Sequence, residues 1–211
     1  MAPASYWTAF ALAWGLAISP CVPAAEFALS SAELARIAAR QLVIRPTLDP
    51  SQRRGTVRAA LLIDAPAEVV FRTMTSCADA LQYVPHLRTC RVRERGPDDG
   101  WMVVEHEIDF GWYAPRMKWV SRADMIVNRK ITFRQVSGDF RANEGTWELE
   151  PSADGNRTLL LYRIYIDPPG YVPNWLARSI FKRELPQMLT ELRRRCETEQ
   201  GLRAAAKVPA R

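Results

Sequence analysis

Residues 167–196 read DPPGYVPNWLARSIFKRELPQMLTELRRRC, and apolar side chains recur through them at the spacing of one helix face. Pro173 suits the first helical turn and Gly201 suits the helix end. Pro186 lacks a backbone donor and crowds the carbonyl four residues earlier, so we expect a kink there. The sequence therefore predicts one long amphipathic helix near the C-terminus.

The composition is that of a single folded domain. The chain has 211 residues, of which 48% are hydrophobic, enough for one core without requiring two domains. The first 25 residues carry no charged side chain, whereas all 29 Lys and Arg and all 23 Asp and Glu follow them. This change of composition indicates a targeting segment at the N-terminus.

That segment resembles a secretory signal peptide. A mostly apolar run over Trp7–Ile18 is followed by Ser19-Pro20 and by small residues up to Ala24. The run is shorter than the roughly 20 residues that a membrane span needs. We therefore expect residues 1–24 to be a cleaved signal peptide and the protein to be periplasmic, with an uncleaved anchor as the alternative.

Three cysteines remain after such a cleavage, in an oxidising compartment. A bridge between Cys77 and Cys90 would close a short loop and contribute roughly 3 kcal/mol in the chain-entropy model. The alternative is that these two and Cys196 are buried free thiols. No Cys and His spacing resembles a zinc site, and we expect neither a metal nor a cofactor.

The mature chain divides into three segments. Residues 25–55 hold a leader helix, SAELARIAAR over 31–40 with Ser30 or Ser31 as its cap, then an extended piece at 41–45 and a polar connection. Residues 56–200 form the main domain, and residues 201–211 are expected to be a flexible tail.

The main domain reads as one strand, two short helices and then a run of strands. The first strand covers 56–64. One short helix starts after Pro66, and a second covers 79–83. Further strands are predicted at 89–95, 101–110, 116–126, 130–137, 143–150 and 158–166, joined by short turns rich in Gly, Asn and Asp. Sequential strands with short joints predict an antiparallel meander.

Alternation shows which side chains point inward. In the strand 101–110, Met102, Val104 and Ile108 alternate with carboxylates, which places His106 on the apolar side. Because a buried polar group needs a partner, we expect Gln135, Ser121 or Tyr162 to hydrogen-bond His106 and burial to lower its pKa. A contact between His106 and a bound ligand is the alternative. The row of Glu105, Glu107 and Asp109 is most simply a solvated strand face.

This order of elements resembles the helix-grip fold of the START-like (SRPBCC) superfamily, and most closely its polyketide cyclase/dehydrase and coenzyme Q-binding branch. The resemblance spans roughly residues 56–198. It rests on these motifs: IDAP at 63–66 leading into EVVF at 68–71, YVP at 83–85, the set Gly145, Trp147, Leu149 and Pro151, the segment 162–168, and VPNWL at 172–176. The fold class is therefore α+β, with a curved antiparallel sheet of about seven strands around the long C-terminal helix.

The resemblance implies an apolar cavity between the sheet and the long helix. Its ligand would be a lipid, an isoprenoid quinone or a similar hydrophobic small molecule. The residues expected to contact that ligand are His106, Met117, Trp119, Phe133, Gln135, Trp147, Tyr162, Ile164, Trp175, Leu176 and Ile180. For Trp175, Leu176 and Ile180, a plain core role is equally open, because a core helix needs the same residues.

Two functional hypotheses follow. The first is a non-enzymatic carrier of a hydrophobic molecule in the bacterial envelope. The second is a small-molecule cyclase, dehydratase or hydrolase using the same cavity, although the sequence has only two histidines and no nucleophile-elbow or phosphate-loop motif. Catalytic residues are therefore not assigned.

The net charge of +6 raises the question of a charged partner. Nucleic acid is not expected, because an exported protein does not meet it. A basic outer patch could contact an anionic membrane surface, with a solubilising face as the alternative. The patch would consist of Arg116, Lys118, Arg122, Arg129, Lys130 and Arg134. A monomer is the default expectation for the oligomeric state.

Overall fold

The structure is a computed structural model, and it describes residues 27–206. The expected signal peptide and the last residues of the expected tail lie outside the described residues. The described part is one antiparallel sheet of eight strands in the order β1-β2-β8-β7-β6-β5-β4-β3, with helices on both faces. The strands are β1 Val43–Leu48, β2 Gly55–Ile63, β3 Leu87–Arg95, β4 Trp101–Ile108, β5 Met117–Ile126, β6 Lys130–Gly138, β7 Ala142–Pro151 and β8 Thr158–Asp167.

The helices follow the predicted order. They are α1 Ser31–Ala38, α2 Ala67–Thr75, α3 Cys77–Tyr83, α4 Asn174–Ser179 and α5 Leu185–Ala206, with a π-helical turn at Ile180–Glu184 between the last two. Ser30 caps α1, and its side chain and the Glu33 carboxylate form a capping box. The helix-grip fold class expected from the sequence is thus confirmed, and the meander β3 to β8 follows the chain.

The sheet has one strand more than the expected seven. Residues 41–45 were expected to be a short extended piece, but the chain stays extended to Leu48 and pairs with β2 along its whole length. Pro46 lies within this strand opposite Val57. Because β1 is the first strand in the order, the missing backbone donor of Pro46 interrupts no inner ladder.

One face of the sheet packs on α2, α3 and the C-terminal helical segments. The buried row of α5 is Leu185, Leu189, Leu192 and Cys196, as the periodicity predicted. An ion pair links two of these helices, because Arg195 of α5 lies 2.7 Å from Asp79 of α3. The Thr73 hydroxyl of α2 also donates to Glu199 of α5 at 3.2 Å. The core therefore lies between this sheet face and the helices.

The C-terminal helix is interrupted one turn earlier than expected. We expected a kink at Pro186, and the irregularity is the π-helical turn directly before it. Leu185 donates to the carbonyl of Ile180, five residues back, and the proline after it cannot donate at all. The expected end at Gly201 is wrong: α5 continues to Ala206, because a glycine in an exposed turn costs only about 1 kcal/mol and does not by itself end a helix.

The opposite face of the sheet is partly covered by α1. Ile37 of α1 packs with Val43, Ala60 and Leu161 in a second, smaller core cluster. Strand β8 is therefore buried on both faces at this end, which explains its nearly uninterrupted apolar sequence. Among residues 27–206, no helix has the length and apolar content to span a membrane.

Candidate ligand-binding cavity

A cavity of about 270 Å³ lies between the inner face of the sheet and the helices. This volume is close to the lower end of the usual range for small-molecule sites. Its walls come from α2, α3, the strands β3 to β8, the π-helical turn and α5. The lining side chains with aromatic rings other than histidine are Tyr83, Phe110, Trp119, Phe133, Phe140, Trp147 and Tyr162.

Seven of the eleven residues expected at the ligand site line this cavity: His106, Trp119, Phe133, Trp147, Tyr162, Ile164 and Ile180. Met117 and Leu176 lie instead in the packed core, and Trp175 is 52% exposed. Gln135 is also outside the lining, because its amide turns away to donate to the Phe140 carbonyl at 2.8 Å. The cavity wall thus lies on the sheet side and on the π-helical turn, rather than at the start of the C-terminal helix.

A disulfide forms part of the cavity wall. It joins Cys77, the first residue of α3, to Cys90 of β3, the pair whose spacing indicated a bridge. Both residues line the cavity. Cys196 is a buried free thiol, and burial raises its pKa to about 12. The bridge therefore fixes the position of α3 against the sheet beside the ligand space.

His106 lies on the cavity wall in β4, directly opposite Trp119 of β5. The two rings stack with their centroids 5.0 Å apart. Burial lowers the pKa of the His106 imidazole to about 4, so the ring is neutral at physiological pH. The predicted direction of this shift is confirmed.

The expected hydrogen-bond partners of His106 are not found. Its Nδ1 atom is buried and has no partner among the described residues. The strand register explains this, because Ser121 lies opposite Val104 and Gln135 lies opposite Ser121, one strand further away. The Nδ1 atom of His106 is thus buried without a hydrogen bond within the described residues.

Two tyrosines add hydroxyl groups to the lining. Tyr162 of β8 stacks on Trp147 of β7 with ring centroids 3.5 Å apart. Burial raises the pKa of Tyr162, and it also raises the pKa of Tyr83 in α3. Both phenols are therefore un-ionised at physiological pH and can donate hydrogen bonds.

Asn143 is a cavity residue that the sequence reasoning missed. It lies at the start of β7 and is 8% exposed, and its Oδ1 atom has no hydrogen-bond partner within residues 27–206. The signal was present in the sequence, because Asn143 shares the inward face with Gly145 and Trp147 by simple alternation. A second lining residue thus carries an unsatisfied polar atom.

A pair of ionisable residues that was also not predicted, His86 and Glu184, lies where the cavity lining reaches solvent, since their side chains are 40% and 21% exposed, and we call this place the mouth. His86 ends the loop after α3, and its Nε2 lies 3.3 Å from the Glu184 carboxylate in the π-helical turn. The His86 ring packs on Phe110 with centroids 4.8 Å apart. His86 has φ of 61°, a left-handed conformation that is uncommon for residues other than glycine. All three residues line the cavity.

The charge of the lining is sparse and of one sign. In the described part of the chain, neither Lys nor Arg lines the cavity, and Glu184 is its one carboxylate.

The basic residues lie outside, where the expected basic patch is largely paired. Arg116 lies 3.1 Å from Asp109, Lys118 lies 3.3 Å from Glu107, Arg122 lies 2.9 Å from Asp124, and Lys130 lies 2.7 Å from Glu148. The neighbouring carboxylates thus offset much of the positive charge of this patch.

An aromatic-lined cavity under a long C-terminal helix defines a protein of the helix-grip class. Residues 63–193 match the family described as polyketide cyclase/dehydrase and lipid transport. The chain belongs to this family, within the START-like superfamily. The match does not distinguish the coenzyme Q-binding branch from the rest of the family, and that part of the expectation stays a prediction. Among curated proteins, none is significantly similar in sequence.

Several solved structures share the fold. The Zhui aromatase/cyclase from Streptomyces sp. R1128 is 20% identical over 74% of this chain and 99% of its own, with a TM-score of 0.58. A STAR-related lipid transfer protein from Xanthomonas axonopodis is 15% identical over 74% of this chain and 93% of its own, with a TM-score of 0.61. Human STARD10 is 10% identical over 74% of this chain and 69% of its own, with a TM-score of 0.60. At these identities the likeness concerns the fold alone.

Proposed function

We propose that this protein binds and carries a hydrophobic small molecule in the cavity between the sheet and the C-terminal helix. The observation that supports this most is the cavity itself: its lining is mostly apolar and aromatic, and few polar groups interrupt it. Binding of an apolar molecule is favourable here because it covers this apolar surface. Relatives of the same fold include a protein named for lipid transfer.

His106 is the side chain that we propose orients the bound molecule. Its neutral ring lines an apolar wall and makes no hydrogen bond to Gln135, Ser121 or Tyr162, so a ligand hydroxyl or carbonyl could bond to the ring. His106→Phe keeps an aromatic ring and removes both nitrogens. We expect a selective loss of affinity for oxygen-bearing ligands with the fold intact, whereas unchanged affinity would remove His106 from the site.

The direct test of carriage is to identify what the purified protein contains. Native mass spectrometry followed by solvent extraction should recover a bound apolar compound from protein expressed in a bacterial host. A matched sample of Ile164→Lys, which places a charge in the cavity wall, should contain none. An empty wild-type protein that also fails to take up any apolar compound would contradict the proposal.

A second candidate function is catalysis of cyclisation, dehydration or hydrolysis in the same cavity. One observation favours it, namely the His86 and Glu184 pair at the mouth, because an imidazole beside a carboxylate can transfer protons. A relative of the same fold is named aromatase/cyclase. If the compound recovered from wild-type protein differs chemically from that in Glu184→Gln protein, this result would favour catalysis over simple carriage.

We also propose that the protein acts in the periplasm after cleavage of residues 1–24. The disulfide between Cys77 and Cys90 supports an oxidising compartment. Fractionation of cells and mass determination of the mature chain would test this. Contact with an anionic membrane stays a prediction, which flotation with anionic and neutral liposomes across a range of salt concentrations would test.

A further inference from the structure

The helix α3 and the strand β3 together form one wall of the cavity. The chain turns back between them at residues 84–86, and the disulfide from Cys77 to Cys90 closes the open end of this helix–strand hairpin. Seven residues of the cross-linked segment, residues 77–90, line the cavity: Cys77, Ala80, Tyr83, Val84, Pro85, His86 and Cys90. The disulfide therefore joins the two halves of a cavity wall.

The two halves of this wall are attached to different parts of the fold. On the helix side, Asp79 pairs with Arg195 of α5 at 2.7 Å. On the strand side, Cys90 lies opposite His106 of β4. The strand β3 is the last in the sheet order, and its pairing with β4 is irregular on both sides of Cys90. The disulfide is thus the covalent link between a helix held by α5 and an edge strand held by the sheet.

The disulfide is more accessible than the third cysteine of the described residues. Cys77 and Cys90 are both partly exposed and both line the cavity, whereas Cys196 is fully buried. Thiol–disulfide exchange requires that the attacking thiol reach a sulfur atom of the bridge. We therefore expect a thiol to react with this disulfide while the protein stays folded, and to leave Cys196 unchanged.

We propose that reduction of the disulfide between Cys77 and Cys90 by a dithiol opens the cavity wall between α3 and β3 and speeds exchange of the bound molecule. A thiolate of the dithiol attacks one sulfur of the bridge and displaces the other, which takes up a proton. The second thiol of the reductant then displaces the first cysteine in the same way. The protein gains two electrons and two protons and forms two thiols, and the dithiol becomes a disulfide.

The place of the opening follows from the attachments of the wall. After reduction, the ion pair to Arg195 keeps α3 on α5, and the pairing with β4 keeps Cys90 on the sheet. A gap can then form between Cys77 and Cys90, at the end of the helix–strand hairpin away from His86. This route differs from the mouth. The inference rests on the proposed function and names how the same cavity is regulated.

Release of naphthol tests the proposal, because this uncharged fluorescent ring compound suits an aromatic lining. Purified protein loaded with naphthol is mixed with an excess of methoxynaphthalene in a stopped-flow instrument, with the disulfide intact and after reduction by dithiothreitol. We expect roughly tenfold faster release from the reduced protein, within the constraint that a closed loop of this length imposes. Reoxidation should restore the slower rate. Equal rates in the two states would overturn the inference.

Two variants separate opening of the wall from a general loss of stability. The double variant Cys77→Ser with Cys90→Ser should release naphthol quickly with or without dithiothreitol. Leu189→Ala truncates a fully buried side chain of α5 and leaves the disulfide intact. It should lose stability and still release naphthol slowly. Fast release from Leu189→Ala with its bridge intact would overturn the inference, because stability alone would then set the rate.

Hydrogen exchange locates the opening without a ligand or a substitution. Reduction should increase amide exchange at residues 77–80 and 89–92, on the two sides of the wall, and leave β2 and β8 unchanged. An increase spread over the whole sheet, or none at the two sides of the wall, would overturn the inference. This measurement decides the matter even if the double variant does not fold, as judged by circular dichroism.

The outcomes also separate this inference from the proposed function. Naphthol binding with equal release rates from the oxidised and reduced protein would overturn the inference and leave hydrophobic-ligand binding standing. Failure of both forms to bind any apolar compound, together with an empty extract from purified protein, would overturn the proposed function and the inference with it.

Discussion

The Nε2 atom of His86 lies 3.3 Å from the Glu184 carboxylate, and this contact joins the loop after α3 to the π-helical turn across the cavity mouth. A ligand that enters here must pass between these two elements. The contact involves a partly exposed histidine, so its contribution to stability is small. Because the contact lies at the mouth, we expect it to affect the rate of ligand exchange more than the stability of the fold.

The first prediction concerns this contact. His86→Ala should speed release of a bound naphthol severalfold while changing the free energy of unfolding by less than about 1 kcal/mol. Stopped-flow displacement measures the rate, and urea unfolding measures the stability. Arg93→Ala, which removes an exposed ion pair to Glu105 on the outer strands, should leave the release rate unchanged. An unchanged rate in His86→Ala would show that the ligand enters elsewhere.

The second prediction is a pH dependence due to His106. Its pKa is about 4 in the folded protein and about 6.5 when unfolded, so the unfolded state binds more protons between these values. Stability from this residue is present above about pH 6.5 and is lost as pH falls towards 4, with about 2 kcal/mol gone at pH 5. Urea unfolding at about pH 7.5 and pH 5 should show this loss in wild-type protein, beyond that of His106→Phe. Equal losses in both proteins would contradict it.

The third prediction concerns the disulfide. Replacing both Cys77 and Cys90 by Ser should lower the free energy of unfolding by roughly 3 kcal/mol, because the unfolded chain regains the freedom of the closed loop. Chemical denaturation with and without a reductant measures the effect. Wild-type protein should lose stability on reduction, and the double variant should not respond. A response in the double variant would mean that the reductant acts elsewhere.

The fourth prediction contrasts two glycines. A methyl group on Gly145 would lie 2.2 Å from the Arg163 carbonyl and 2.8 Å from the Phe133 ring, so Gly145→Ala should destabilise the protein by roughly 1 to 3 kcal/mol. Gly201 has nothing within 4 Å of the same position, and Gly201→Ala should stabilise α5 by up to about 1 kcal/mol. Thermal unfolding of the two variants should therefore shift in opposite directions, and shifts of the same sign would refute the close packing at Gly145.

The fifth prediction separates the cavity wall from the core. Ile180 is partly buried and lines the cavity, whereas Leu189 lies on the buried face of α5 and is fully buried. Leu189→Ala should cost roughly 2 to 5 kcal/mol. Ile180→Ala should cost less than about 2 kcal/mol and should improve binding of ligands larger than naphthol, since it enlarges an existing space. Similar costs for both, with unchanged ligand size preference, would place Ile180 in the core.

Strand alternation is the part of the site that the sequence predicted best. It placed His106, Trp119, Phe133 and Trp147 on the inner face, because each antiparallel strand with one buried face repeats every second residue. The same rule would have included Asn143. It could not supply the register between strands, and the register is what leaves the His106 Nδ1 atom without a partner.

The C-terminal helix was harder to interpret, because a helical period assumes one uninterrupted helix. The π-helical turn inserts an extra residue, which changes the phase of the segment before it relative to α5. Trp175 consequently faces outward, although it fits the pattern of Leu189 and Leu192. The pair of His86 and Glu184 left no signal, since a left-handed loop residue and a helical carboxylate both read as solvent-exposed.

The two outer strands of the sheet have a consequence for self-association. Edge β1 carries the exposed Pro46, which cannot donate a hydrogen bond to an approaching strand. Edge β3 is rich in exposed charged residues, including Arg91 and Glu94, and its pairing with β4 is irregular at two places. Prolines, charges and bulges are the features that keep open sheet edges from templating another chain. Both edges of the open sheet therefore disfavour edge-to-edge pairing between copies of the chain.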